Sequence, residues 1–170
     1  MRIFFLVKRH FCLLFIVSFF YGFHFTSFAQ DSASEIKSLS EGADVIVIGK
    51  VVQQKSNWNE NRTRIYTNVT IQVEEFLKGT NTGEIVVTHP GGEVEEVGEL
   101  YTHMPKFRND EEVLVFLEED TRSNAYRVLN GENGKMTLLK DKTTGEKVTP
   151  FNQKISTFKN EIKKYIGNQQ

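Results

Sequence analysis

The chain has 170 residues, a single cysteine, and 21 basic against 22 acidic side chains, for a formal net charge of −1. This length excludes a large multidomain protein and allows one ordinary domain with a substantial core. The chain lacks the excess of basic residues that is typical of nucleic-acid-binding proteins, so no nucleic-acid partner is expected.

The first residues have the layout of a secretory signal peptide. Lys8 and Arg9 precede an apolar run, and small residues stand at the −3 and −1 positions of a cleavage site after Ala29. The apolar run is shorter than the ~20 residues that span a bilayer, so a permanent membrane anchor is the weaker interpretation. We therefore expect residues 1–29 to be removed and residues 30–170 to be secreted or periplasmic, with no membrane span after cleavage.

Loss of this leader changes the chemistry of the chain. It removes three basic residues, no acidic residue and the single cysteine, Cys12, which leaves 18 basic against 22 acidic side chains and a net charge of −4. No disulfide is then possible, so the core alone must hold the fold. Charged and bulky residues precede Cys12 where a lipoprotein signal has small apolar ones, so lipidation is not expected.

The first half of the mature chain begins with a helix and continues in strands. Residues 30–42 predict a polar lead-in and a short helix that Gly42 ends. Residues 43–52 are a nearly continuous apolar run, which predicts a strand buried on both faces, with a bulge or bend at Gly49. The polar residues 56–62 predict a loop.

The clearest strand pattern lies in residues 65–77, where apolar and polar residues alternate. Only Glu75 interrupts the apolar row, and a bulge near Glu74–Phe76 would explain the interruption. The two Asn-Gly pairs in 130–134 predict a hairpin that joins the strands on either side of them. Further strands are predicted at 84–89, 93–101 and 113–117.

The chain ends in the pattern of an amphipathic helix, which follows Pro150. The apolar stripe of this helix comprises Phe151, Ile155, Phe158, Ile162, Tyr165 and Ile166, and its solvent side carries Lys154, Lys159, Lys163 and Lys164. The fold class predicted is all-β: a small OB-like barrel of five to seven strands in residues 43–149, with a short helix before it and this helix, 150–170, after it.

The order of strands and turns resembles an uncharacterised class of exported bacterial domains. It is also similar to the netrin-like domains of tissue inhibitors of metalloproteinases, which are OB-fold barrels. The resemblance covers about Ala43–Leu139, and its marks are Ala43–Val51, Ile65–Gly79, Pro90-Gly91-Gly92, Pro105-Lys106-Phe107 and Glu111–Leu117. The resemblance implies the fold.

The inhibitory mechanism of those domains does not carry over to this chain. The inhibitors act through an N-terminal cysteine whose amine and carbonyl chelate the protease metal. The mature chain begins at Gln30 or Asp31 and has no cysteine. A metalloprotease inhibitor acting without cysteines therefore remains only as an alternative function.

A non-catalytic binding or protein-interaction module is the function that the sequence favours, with a protein, peptide or carbohydrate as ligand. Aromatic residues near loops and strand ends, which include Tyr101, Phe107 and Tyr126, could stack on a ligand or pack over the barrel end. The Pro-Gly-Gly segment could admit a ligand to the backbone or simply turn the chain. The ligand-binding candidates are Trp58, Tyr66, His89, Pro90, Gly91 and Gly92.

Catalytic residues, metal ligands and cofactors are not predicted. His89 and His103 are the only histidines of the mature chain, and neither has a second histidine or a cysteine at a metal-ligand spacing. The Gly-x-Ser-x-Gly motif of many serine hydrolases is absent from the sequence. A small hydrolase or metal-dependent enzyme that uses these two histidines and nearby carboxylates is the alternative from another functional class.

Overall fold

The computed structural model of the protein describes residues 27–79, 83–121 and 125–167. The chain splits into two compact units, Met1–Ile36 and Lys37–Gln170. Of the first unit, the structure describes only the start of a helix. The elements are α1 (Ser27–Gly42), β1 (Val45–Trp58), β2 (Ile65–Lys78), β3 (Glu84–Pro90), β4 (Gly92–Val94), β5 (Val97–Glu99), β6 (Glu112–Asp120), β7 (Ala125–Val128), a 3₁₀-helix (Gly131–Gly134), β8 (Lys135–Thr137), β9 (Leu139–Lys140), β10 (Lys147–Val148) and α2 (Ile155–Gly167).

The described residues are mostly strand, with two α-helices, so the all-β assignment is confirmed at this level. Helix α1 is longer than the predicted short helix and ends at Gly42, as expected. The predicted leader lies outside the described residues except for 27–29, which belong to α1. Within the described part of the chain, no helix is long and apolar enough to cross a membrane.

The main sheet has the strand order β1-β2-β3-β7-β6-β8, and β1 also pairs with β6. The β3–β7 pair is parallel, and the other pairs in the sheet are antiparallel. Two small antiparallel ladders, β4–β5 and β9–β10, lie outside it. Strand β1 is therefore paired along both of its edges over Ile46–Lys50, and residues Val45–Gly49 are all buried, as the apolar run predicted.

The hairpin between β1 and β2 corrects the predicted loop at 56–62. Strand β1 continues to Trp58, which pairs with Ile65, so the predicted loop shrinks to the turn between these two residues. The side chain of Asn59 organises this turn: its Oδ1 accepts the N–H groups of Thr63 at 2.7 Å and Arg64 at 3.1 Å. Turn chemistry therefore explains the polar residues of 56–62 that follow Trp58, whereas those up to Trp58 belong to the strand.

The predicted bulge in β2 is present. The β1–β2 register passes from Ile48↔Glu75 to Gly49↔Val73, so Glu74 is the extra residue. At this point the two backbones lie close together, because a Cβ on Gly49 would lie 2.4 Å from the Gln72 carbonyl oxygen. Gly49 therefore allows a close approach of strands, and its backbone φ lies outside the positive range.

The central core cluster lies on one face of the main sheet and follows the period-two pattern, while Ile46 and Phe116 are fully buried on the other face. In β2 the inward residues Ile65, Val69 and Ile71 are fully buried, while polar residues alternate with them on the other face. The central cluster comprises Val45, Val47, Val51, Val69, Ile71, Ile85, Val87, Phe107, Val113, Val115, Leu117 and Val128.

The predicted hairpin across 130–134 is wrong. Strands β7 and β8 do not pair with each other; both pair with β6, β7 along Leu117–Asp120 and β8 along Val113–Val115. The glycines of 131–134 form a 3₁₀ turn, which Asn130 enters at φ 57°, and the chain then continues along the same edge of β6. Asn130 and Gly131 adopt the positive φ that Asn-Gly pairs favour, but the strands on either side of them pair with β6 instead of with each other.

Helix α2 begins later than the predicted helix. It starts at Ile155, and Phe158 and Ile162 are buried, as the stripe predicted. Phe151 precedes the helix and is 77% exposed, so its place in the stripe is corrected. Lys159, expected on the solvent side, is half-buried and pairs with Glu75 at 2.7 Å, which links α2 to the bulged end of β2.

Candidate functional site

A groove of about 720 Å³ opens beside the β4–β5 hairpin. It is lined by Gln54 and Ser56 of β1, Thr67 of β2, and the segments 89–93, 98–101 and 104–108. We call the lining residues of β1 and β2, together with 89–93, the floor of the groove, 98–101 the hairpin wall and 104–108 the loop wall.

Side-chain hydroxyls and glycines form the floor. Thr67 Oγ1 donates to the Gly91 carbonyl at 2.7 Å, so the hydrogen between Ser56 Oγ and Thr67 Oγ1, 2.9 Å apart, comes from Ser56. Gly92 has φ 132°, and a Cβ there would lie 2.3 Å from Thr67 Oγ1. Glycine at this position is required both by backbone conformation and by space, which favours the turn interpretation of the Pro-Gly-Gly segment.

The hairpin wall is anchored by a network around Tyr101. Its hydroxyl donates to Glu99 Oε2 at 3.1 Å and accepts a hydrogen bond from the Arg64 guanidinium, whose Cζ lies 5.8 Å from the ring centroid. The same Glu99 oxygen accepts the N–H of Ile65 at 3.2 Å. The wall is therefore tied to the first residues of β2.

The loop wall is anchored by an ion pair between Lys135 and Glu111, 2.6 Å apart, whose side chains are only 9% and 10% exposed. Lys135 Nζ also donates to the Lys106 carbonyl at 2.8 Å and lies 5.4 Å from the centroid of the Phe107 ring. Glu111 Oε2 accepts the Arg108 N–H at 3.0 Å. One ion pair therefore fixes three consecutive residues of the wall.

The pKa of Glu111 reflects two opposing effects. Burial alone would raise this pKa, but hydrogen bonds from Lys135 and Thr137, the charge of Lys135 and the Arg108 N–H outweigh burial and hold the pKa below its ordinary value. The folded state therefore favours the ionised carboxylate. This contribution to stability is fully present above the unfolded-state pKa and is lost as the pH falls through the lower folded-state pKa.

We expect the stability of the domain to decline as the pH falls below ~4.3, the ordinary pKa of a glutamate. Glu111→Gln removes the titrating group and should make this acid-side decline shallower while lowering stability at neutral pH. Urea midpoints measured across a pH series for both proteins test the expectation. Parallel acid-side slopes in the two proteins would show that Glu111 does not contribute to the decline.

Four of the six sequence-predicted ligand residues, His89 to Gly92, lie together in the groove. The His89 ring stacks on Phe107, with centroids 6.2 Å apart and 20° between planes, and its Nδ1 lies 3.0 Å from the Pro90 carbonyl. His89 therefore packs against Phe107 near the end of β3 and also lines the groove. The groove residues Gln54, Ser56, Thr67, Leu100 and Met104 were not among the candidates, since only the pairing of distant strands brings them together.

Trp58 and Tyr66 lie outside the groove lining. Tyr66 is 40% exposed, and strand alternation places it on the face opposite Thr67. Trp58 is half-buried and pairs with the fully buried Ile65, beyond the residues of β1 that line the groove. Tyr66 nevertheless pairs with Pro90 in the β2–β3 ladder, so its backbone lies beside the Pro-Gly-Gly segment although neither aromatic residue lines the groove.

His89 and His103 have different surroundings. His103 is exposed, 3.2 Å from Glu132 Oε1, and does not line the groove that contains His89. Among residues 27–79, 83–121 and 125–167, no three His, Cys, Asp or Glu side chains are placed to hold a metal ion.

Comparison of the sequence with protein-family models gives no match. Comparison with curated proteins also gives no match.

Proposed function

We propose that the chain is an exported, non-catalytic binding module built on an OB-like barrel related to the netrin-like domains. The barrel is supported by the continuous circuit of pairings β1–β2–β3–β7–β6–β1 and by the parallel β3–β7 pair. Pairing of β1 with β6 over Val45–Lys50 closes this circuit and gives a rigid support for loops. Export is supported by the layout of residues 1–29.

The groove is the binding site in this proposal, and its two separate anchors are the observation that carries it. The Tyr101 network holds the hairpin wall, and the Lys135–Glu111 pair holds the loop wall. A groove held open in the free protein loses little entropy when a ligand binds.

A peptide segment of another protein is the ligand class that the groove chemistry favours. Leu100, at the hairpin wall, is 89% exposed, and the half-buried Met104 adds apolar surface from the loop wall. Apolar surface of this kind suits an apolar side chain of a peptide, whereas sugars favour planar polar groups beside an open aromatic face. The ligand class therefore narrows from protein, peptide or carbohydrate to peptide.

We expect Leu100→Asp to reduce peptide binding by about tenfold or more without changing the melting temperature. The side chain is almost fully exposed, so its replacement does not affect the core. A carboxylate at this position disfavours contact with an apolar ligand side chain, because that contact would remove water from the charge. The measurement is binding to arrays of random peptides and of glycans, followed by titration with the peptides selected.

Leu139→Asp is the matched control, because Leu139 is also exposed but lies outside the groove lining. It should retain wild-type binding. Equal losses in both variants, or binding of glycans alone, would contradict the peptide groove.

A further inference from the structure

One edge of strand β1 is paired with another strand along only half of its length. Its ladder with β6 ends at Lys50. At the next residue, the Val51 N–H donates to the Glu111 carbonyl at 2.9 Å, and the Val51 carbonyl accepts the Asp110 N–H at 2.8 Å. Among the residues that the structure describes, no strand pairs with this edge between Val52 and Trp58. The second half of β1 is therefore held by β2 alone.

The direction of the backbone groups in this half follows from the hairpin. Asn59 N–H donates to the Arg64 carbonyl, so Asn59 faces β2. Antiparallel ladders alternate, and the register is unbroken from Gln53 to Trp58, so Lys55 and Asn57 also face β2. The N–H and C=O groups of Gln54, Ser56 and Trp58 then point to the open edge.

The open edge lies beside the groove. Gln54 and Ser56 belong to the groove lining, and the loop wall departs from β1 just before the Asp110 contact. Gln54 Nε2 still reaches Asn109 Oδ1, at 3.4 Å, but the wall residues before Asn109 form no ladder with β1. Among the described residues, the loop wall therefore leaves this edge of β1 without a strand partner beside the groove.

We propose that an extended peptide segment of a partner protein binds in the groove by adding a strand to the open edge of β1 at Gln54–Trp58. This inference rests on the proposed peptide-binding function and specifies how the peptide is held. Only an extended polypeptide offers donors and acceptors in the repeat of a strand edge. Its alternate side chains point into the groove, toward Phe107 and Met104, and the others point to solvent.

Backbone methylation of a bound peptide tests the pairing in the wild-type protein. The probe is a peptide selected on the random array, resynthesised with a single N-methyl group at each position in turn. Edge pairing predicts that methylation at every second position weakens binding by about tenfold, with little effect at the positions between. Losses without this alternation overturn the strand addition but leave peptide binding in the groove intact.

Proline substitutions test the edge from the side of the protein. Gln54→Pro removes an N–H that faces the open edge, so the domain should fold and lose binding about tenfold. The matched control is Lys55→Pro, which removes an N–H that faces β2 and should destabilise the fold. The methylation series still decides the question if Gln54→Pro fails to fold.

Other occupants of the edge give distinct results. A second copy of the chain would appear as a concentration-dependent dimer that Gln54→Pro dissociates, and this would overturn the partner-peptide proposal. An array on which no peptide binds would overturn both the strand addition and the peptide-binding function. Alternating methylation effects, together with a folded Gln54→Pro that binds weakly, support the proposal.

Discussion

Gly49→Ala is expected to destabilise the domain by about 3 kcal/mol, a large part of the stability of a typical small domain. The added Cβ would lie 2.4 Å from the Gln72 carbonyl oxygen and 2.8 Å from Ile71 Cγ2. The first of these is a backbone atom in the β2 ladder. Gly49 is also paired with Val113 of β6, so β1 is held on both edges and cannot move away.

Gly83→Ala provides the control for the loss of glycine itself. A Cβ at Gly83 meets no atom within 4 Å, and its φ lies outside the positive range. This variant should be neutral or slightly stabilising, because alanine restricts the unfolded chain. Urea unfolding of the two variants and the wild type gives the comparison, and a Gly49→Ala midpoint close to that of Gly83→Ala would show that β1 and β2 can separate at the bulge.

The strands could be predicted from sequence because alternation is a local signal. The alternating row from Ile65 to Val73 and the apolar run of β1 each appear within a few residues. Pairing partners are not local, and this is where prediction failed: β7 and β8 read as a hairpin, yet both lie along β6. Which edge is free depends on the whole sheet.

The candidate site, too, could be predicted from sequence only where its signals are local. The glycines after Pro90 could be found from sequence, because a turn with positive φ has its own residue chemistry. The anchors of the two walls could not, because they join residues far apart in sequence: Ile65 with Glu99, and Glu111 with Lys135. The sequence predicted a loop at Trp58 because its neighbours are polar, and nothing in that local pattern indicates its pairing with Ile65.

The ion pair of the loop wall is the second position where a large effect is expected. Lys135→Met should cost roughly 2 kcal/mol, somewhat less than for a fully buried pair, because it leaves the Glu111 carboxylate without its cation. Methionine keeps much of the volume beside Phe107, so the loss is mainly electrostatic. Urea unfolding at neutral pH and low salt measures this loss.

Lys50→Met is the matched control, because Lys50 and Asp110 form an equally short pair, at 2.7 Å, that is exposed to solvent. Its removal should leave the unfolding midpoint nearly unchanged, since solvent screens exposed pairs. Equal effects of the two substitutions would show that burial of the Lys135 pair adds nothing to its strength.

A second substitution separates stability from wall geometry. Adding Glu111→Leu to Lys135→Met removes the unpaired carboxylate and should recover part of the lost stability, because an apolar pair avoids the cost of a lone buried charge. The double variant still lacks the hydrogen bonds to the Lys106 carbonyl and the Arg108 N–H, so the loop wall loses its anchor. We therefore expect peptide binding to stay weak while stability returns. Binding that recovers together with stability would mean that the pair serves the core rather than the groove.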